Sequence, residues 1–216
     1  MLNFVEEMVL LQFDDTRGKV VELPSSAGDI VLAGAALMEL ALRNRIDTDI
    51  ERLTLLDRTP TGDAILDDAL GRLAAADGEL SVGGAIGHLT GNAAKYHDWG
   101  LEQLIAKGVL RESGGRFLWV FPTRRYPVVD DREQREVKAR LRQLVLTDEI
   151  PEPRDVALIC LIDACGLLNL LLNGDEIKRT AARVAQLARL DLIGQAVTDA
   201  VAEIRFIVKH TASPLH

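Results

Sequence analysis

The sequence predicts a mainly α fold: a single globular domain in which amphipathic helices surround a central buried apolar helix and carry small β-hairpins. Three observations predict it. Residues 156–172 form an apolar run interrupted only by Asp163 and Asn169, and a helix apolar on almost every side is explained by burial. The chain is 48% hydrophobic but only 4% aromatic, so Leu, Ala, Ile and Val supply the core volume, which favours helices packed on helices. Stripes of apolar residues at helical spacing also recur behind cap residues. A length of 216 residues suits one domain, expected to span 1–210 with a frayed tail at 211–216.

Taken in order, Asn3 is placed to cap a first helix with Val5, Met8, Val9 and Phe13 on one stripe. Asp14-Asp15-Thr16-Arg17-Gly18 is turn chemistry ahead of a short strand at 19–23. Pro24 resets the chain, and Asp29 is expected to cap a helix running through Asn44, thinned at Gly34, Ala35 and Ala36 so that a neighbour can approach. Residues 46–57 alternate as a small hairpin. Pro60 and Thr61 lead into a helix that ends near Ala76, before Asp77-Gly78. Gly83, Gly84 and Gly87 make the next segment a weak helix, read as a linker piece. Asn92 opens a better helix that Gly108 stops. Glu112-Ser113-Gly114-Gly115 signals a hairpin over 109–121, followed by an irregular loop at 123–131. Residues 132–146 form a strongly charged helix, Pro151 and Pro153 delimit the central helix at 154–172, and two helices follow over 175–190 and 192–209.

Composition excludes several functions. A net charge of −8 argues against nucleic-acid binding by bulk electrostatics, so any anionic partner needs a local basic patch. Cys160 and Cys165 point to different sides of one helix, which suits a reduced, cytoplasmic protein and gives no metal-ligand spacing. No signal peptide is read ahead of Asn3, because the first charges are acidic and the apolar run is short. Abundant Arg, Ala, Leu and Asp suggest a GC-rich bacterial source.

Catalytic patterns are weak. Thr59-Pro60-Thr61-Gly62-Asp63 lacks the lysine and glycines of a phosphate loop and reads as a helix entrance, with Thr61 or Asp63 satisfying first-turn amides. The carboxylate pairs Glu6-Glu7, Asp14-Asp15 and Asp67-Asp68 read as solvated faces, and Asp163 as a satisfied buried carboxylate. His88 and His97 have no Cys or Ser partner at a recognisable spacing, so no enzyme is read and no catalytic or metal residue assigned. The stronger lead is basic. Lys95 and His97 precede the 109–121 hairpin, and Arg116, Arg124, Arg125 and Arg132 lie in or after it, interleaved with Trp119, Phe121 and Tyr126. Guanidinium groups pair with phosphate and aromatic rings sit at headgroup level, which suits a membrane surface. The competing reading makes Trp119 and Phe121 core residues of a solvated hairpin.

The order of five blocks resembles the Golgi phosphoprotein 3 family: FVEEMVLL at 4–11, LMELALRNR at 37–45, TPTGDAILDDAL at 59–70, LIAKGVL at 104–110 and the helix at 154–172. The resemblance covers most of the chain. It implies a non-enzymatic peripheral adaptor, without cofactor, that binds a phosphoinositide headgroup (phosphatidylinositol 4-phosphate) on the cytoplasmic face of a membrane. It also implies protein-tail partners and a weak homo-oligomer formed through the 109–121 region. In the family, a tryptophan and an arginine near the second helix, and two arginines on the helix before Lys-Gly-Val-Leu, hold the headgroup. These positions fall on Pro24, Ala33, Ala94 and His97, of which His97 alone can carry a positive charge, and only when protonated. Local charge, rather than positional match, makes Lys95, Arg124 and Arg125 the other candidate headgroup ligands beside His97. The alternative is a winged-helix-like nucleic-acid binder, because a helix at 93–107 followed by a Gly-Gly hairpin mimics helix and wing. Lys95 and Lys107 are the only lysines on that helix, beside Asp98 and Glu102, too few for phosphate tracking.

Overall fold

Asn3 caps the first helix in the computed structural model, which describes residues 2–13, 25–49, 52–76, 78–111, 128–129, 131–189, 193 and 195–196. Its side chain accepts from the Glu6 amide at 2.8 Å, and the Glu6 carboxylate accepts from the Asn3 amide at 2.7 Å. That reciprocal pair satisfies two donors of the first turn. Helix α1 (Phe4–Leu11) is buried along its whole length. The solvated face expected of Glu6 and Glu7 is therefore corrected, since they are 0% and 5% exposed. Each carboxylate can be buried because a cation from elsewhere in the fold meets it, Lys107 for Glu6 and Arg154 for Glu7.

Helix α2 (Ser25–Leu42) starts at Ser25 rather than at Asp29. Ala27 and Ile30 turn into the core, so burial recruits a Ser-Ser-Ala-Gly stretch whose composition marks it as loop. At its far end Asn44 adopts φ 54, and the Arg45 amide returns to the Leu40 carbonyl at 2.9 Å. This left-handed exit ends the helix sooner than expected. The hairpin then forms as predicted, with β1 (Ile46–Thr48) antiparallel to β2 (Leu53–Leu55) and Ile46 opposite Leu55.

Asp63 caps α3 (Ala64–Ala75) by accepting from the Ile65 and Leu66 amides at 3.0 and 3.4 Å. The glycine-rich segment read as a linker forms a full helix, α4 (Val82–Thr90). Val82, Ala85, Ile86 and Leu89 make one buried face there, and that face outweighs the conformational cost of Gly83 and Gly87. Helices α5 (Ala93–Ala106), α6 (Arg132–Leu146), α7 (Pro153–Cys165) and α8 (Gly174–Ala188) follow.

Helix α7 is buried on nearly every side, as its apolar run requires, and so are Cys160 and Cys165. It stops at Cys165 instead of reaching residue 172 because Gly166 takes φ 72 and the Leu167 amide bonds back to Ile162 at 2.9 Å. A short 3-10 turn, Leu168–Leu170, carries the chain on. The centre is shared, however: α2 packs against α1, α3, α4, α5 and α7. Among the described residues no helix is long and apolar enough to cross a membrane. The strand expected at 19–23, most of the 109–121 hairpin and of the loop at 123–131, most of the helix at 192–209 and the tail lie outside the described residues. Of the described residues, Leu110 pairs antiparallel with Val128.

Helices α1 and α5 meet closely at Gly100. A Cβ there would lie 3.2 Å from Val9 Cγ2 and 3.6 Å from Val5 Cγ1. Gly100→Val is expected to destabilise the fold by about 1–3 kcal/mol through overpacking. Gly100→Ala is expected to be nearly neutral, because a helix-propensity gain of about 1 kcal/mol offsets a smaller clash. Urea denaturation of the two variants checks this pair of outcomes.

Candidate functional site

Helix α5 carries the candidate residues Lys95 and His97, and its geometry separates them. Two residues apart on an α-helix is a rotation of roughly 200°, so the two side chains leave on different sides. Toward α3, Lys95 Nζ lies 3.3 Å from Asp68 Oδ1 and 4.2 Å above the Trp99 ring. Asp68 also accepts from Arg72 Nε at 2.7 Å, Asn92 Nδ2 at 2.8 Å and Tyr96 Oη at 3.0 Å. Partial burial opposes ionisation of Asp68, but these four donors together hold its carboxyl below the usual range. Burial, reinforced by the Asp68 charge, pushes the Tyr96 phenol well above its ordinary value. Asp68 is thus a structural hub tying α3 to α5, and the solvated reading of Asp67-Asp68 is corrected. Asp67 instead accepts from the Thr61 amide at 2.6 Å and the Thr61 hydroxyl at 2.7 Å, fixing the entrance to α3.

On the other side of α5, His97 faces a cavity of about 270 Å³ between α5, the start of α2 and the end of α1. Gln12, Asp29, Leu32, Ala94, His97 and Asp98 line it. His97 is half-buried, with Nδ1 3.8 Å from Asp98 Oδ1. Burial raises the Asp29 carboxyl above its ordinary value. Among the described lining residues, His97 is the one group able to become cationic, and Asp29 and Asp98 face it.

Ala94 and His97, three residues apart on one face, both reach this cavity. Ala33 does not: it is fully buried in α2, and Asp29 and Leu32, on the adjacent strip of the helix, line the cavity instead. Pro24, Arg124 and Arg125 lie outside the described residues. The sequence reading missed Gln12, Asp29 and Asp98. Asp29 was legible only as a helix cap, and nothing local announces that a residue near the second helix will face the fifth.

Two further cavities of about 370 Å³ each flank the start of α7. One is apolar, with Met38, Leu42, Pro151, Pro153, Val156 and Ile193 on its walls. The other is polar and is bordered by Glu7, Arg140, Glu149, Glu152, Arg154 and Asp155. Among the described residues no group of three His, Cys, Asp or Glu side chains could hold a metal ion.

The model of the Golgi phosphoprotein 3 family matches residues 4–204, which takes in every helix described above. The chain belongs to the Golgi phosphoprotein 3 family. A curated relative is vacuolar protein sorting-associated protein 74 of Eremothecium gossypii, 27% identical over 208 residues that cover 80% of this chain and 62% of the relative. The chain thus spans less than two thirds of that relative's length. Of the four positions named by the resemblance, Ala94 and His97 line this cavity, beside the carboxylates of Asp29 and Asp98.

Proposed function

We propose that this Golgi phosphoprotein 3 family member is a non-enzymatic peripheral adaptor that meets anionic membrane weakly and reversibly. Arg124, Arg125 and His97 supply the attraction, whereas Lys95, the fourth candidate, is already paired with Asp68 on another side of α5. The observation that carries the reading is the cavity between α2 and α5, with Ala94 and His97 on one face of α5 in the matched family fold. Its charge sets the mode of binding. A phosphatidylinositol 4-phosphate headgroup brought into it would face Asp29 and Asp98 with, among the described residues, only His97 in support, so the reading favours diffuse electrostatic attachment over tight capture of that lipid. Each cation near an anionic surface contributes about 1 kcal/mol, and the −8 net charge opposes the sum. Protein tails are the second partner class, and the apolar groove beside Met38 and Pro153 is a surface with room for one. Self-association through the 109–121 segment belongs to the same reading.

The nucleic-acid alternative is weakened at α5, whose lysines are engaged: Lys95 by Asp68 and Trp99, and Lys107 at its C-cap by Glu6.

Flotation with phosphatidylserine vesicles tests the proposal. Binding is expected at low salt and to be lost at high salt as the Debye length shortens. Joint replacement of Arg124 and Arg125 by Ala is expected to lower binding with the thermal midpoint almost unchanged. Vesicles with phosphatidylinositol 4-phosphate are expected to bind no better than others of equal charge. No flotation at low salt, or parental binding by the double variant, overturns the membrane reading.

A further inference from the structure

We propose that Glu7, Arg154 and Glu39 form a proton-linked latch that clamps α1 onto α2 and α7. Arg154 occupies the junction. Its Nη2 donates to the Leu2 carbonyl at 2.6 Å and to Glu7 Oε2 at 2.8 Å, while Nη1 reaches Glu39 Oε2 at 3.3 Å. The guanidinium also lies 4.3 Å over the Phe4 ring. One cation from α7 therefore holds two carboxylates and an aromatic face from α1 and α2, together with the Leu2 carbonyl just ahead of α1.

The carboxylates of this region are not equally served. Glu6 accepts from Lys107 Nζ at 2.5 and 2.7 Å and from the Asn3 amide at 2.7 Å. Glu39 accepts from the Phe4 amide at 3.1 Å, from Arg43 Nε at 2.9 Å and from Arg154. Glu7 accepts from Arg154 alone among the described residues. A buried carboxylate with one donor is poorly compensated for the water it has lost. Glu7 is thus the member of the cluster that takes a proton most readily, and its position on the wall of the polar cleft gives that proton a path.

The surrounding charges agree. Acting on Glu7 are Arg154 of α7, Arg140 of α6 and Glu39 of α2, and Asp155, Glu149 and Glu152 line the same cleft. Burial is the dominant influence and pushes the Glu7 carboxyl from 4.5 up to about 7, with Arg154 and Arg140 opposing it. A carboxyl raised in the folded state binds its proton more tightly there than in the unfolded chain. The stability it contributes is full below pH 4.5 and is lost as pH rises to about 7. Across that window the folding equilibrium is expected to weaken by roughly a hundredfold through this group.

The test is the urea midpoint of the full chain between pH 4.5 and 8, with Glu7→Gln and Glu39→Gln alongside. The parent midpoint is expected to fall across the window. Glu7→Gln, a permanently neutral isostere, should lose that part of the slope and match or exceed the parent at pH 8. Glu39→Gln should keep the slope. Carbon-13 NMR of the labelled parent reads the same group directly and stands even if a variant fails to fold: the Glu7 carboxyl is expected to titrate near neutral pH. Titration in the ordinary carboxylate range, or a parental slope in Glu7→Gln, overturns the latch.

Discussion

Arg154→Met is expected to destabilise the protein by about 3–5 kcal/mol at pH 8, the range for removing one partner of a buried ion pair. Methionine keeps apolar contact with Phe4 but removes the guanidinium, which leaves the buried Glu7 and Glu39 short of their shared donor and the Leu2 carbonyl without its own. The loss should shrink at pH 5, where Glu7, with its carboxyl raised to about 7, already holds a proton. Urea unfolding at the two pH values measures both quantities. A cost under about 1 kcal/mol at pH 8, the scale of an exposed pair, would show that the cluster is solvated.

Leu37→Ala should also cost about 2–5 kcal/mol, the lost transfer energy plus the cavity left behind. Leu37 is 0% exposed in α2, the helix against which α1, α3, α4, α5 and α7 all pack, so several elements would have to move together to close the gap. Leu42, on the same helix but 42% exposed, is the control. Its replacement by Ala should cost well under half as much, and denaturant midpoints for the two variants should differ accordingly. Equal effects would mean that α2 is not the packing centre.

The local signals in this sequence were read well where a side chain acts on its own backbone. Asn3 and Asp63 cap their helices, the 46–57 segment makes its hairpin, and residues 132–146 form the charged helix. Readings failed where a distant partner decided the matter. Glu6 and Glu7 resemble a solvated pair until Lys107 and Arg154 arrive from more than a hundred residues away. The glycines before His88 suggest a linker until α2 and α3 cover the apolar face of α4. The candidate site divides similarly: Ala94 and His97 share a face by helical spacing alone, whereas Asp29 joins them only because α2 crosses α5.

What the sequence determined by itself is the mainly α class, the caps and turns, the buried run of α7 and the family. All of these are written in spacings within a turn or two, or in the order of blocks along the chain. What only the tertiary structure decided is which charges are buried, which helix shares the centre, and which residues line the cavity. The physical reason is that desolvation and ion pairing depend on neighbours in space. A carboxylate on α1 is the same chemical group whether it faces water or Arg154, and only the packing of α1 against α2 and α7 says which.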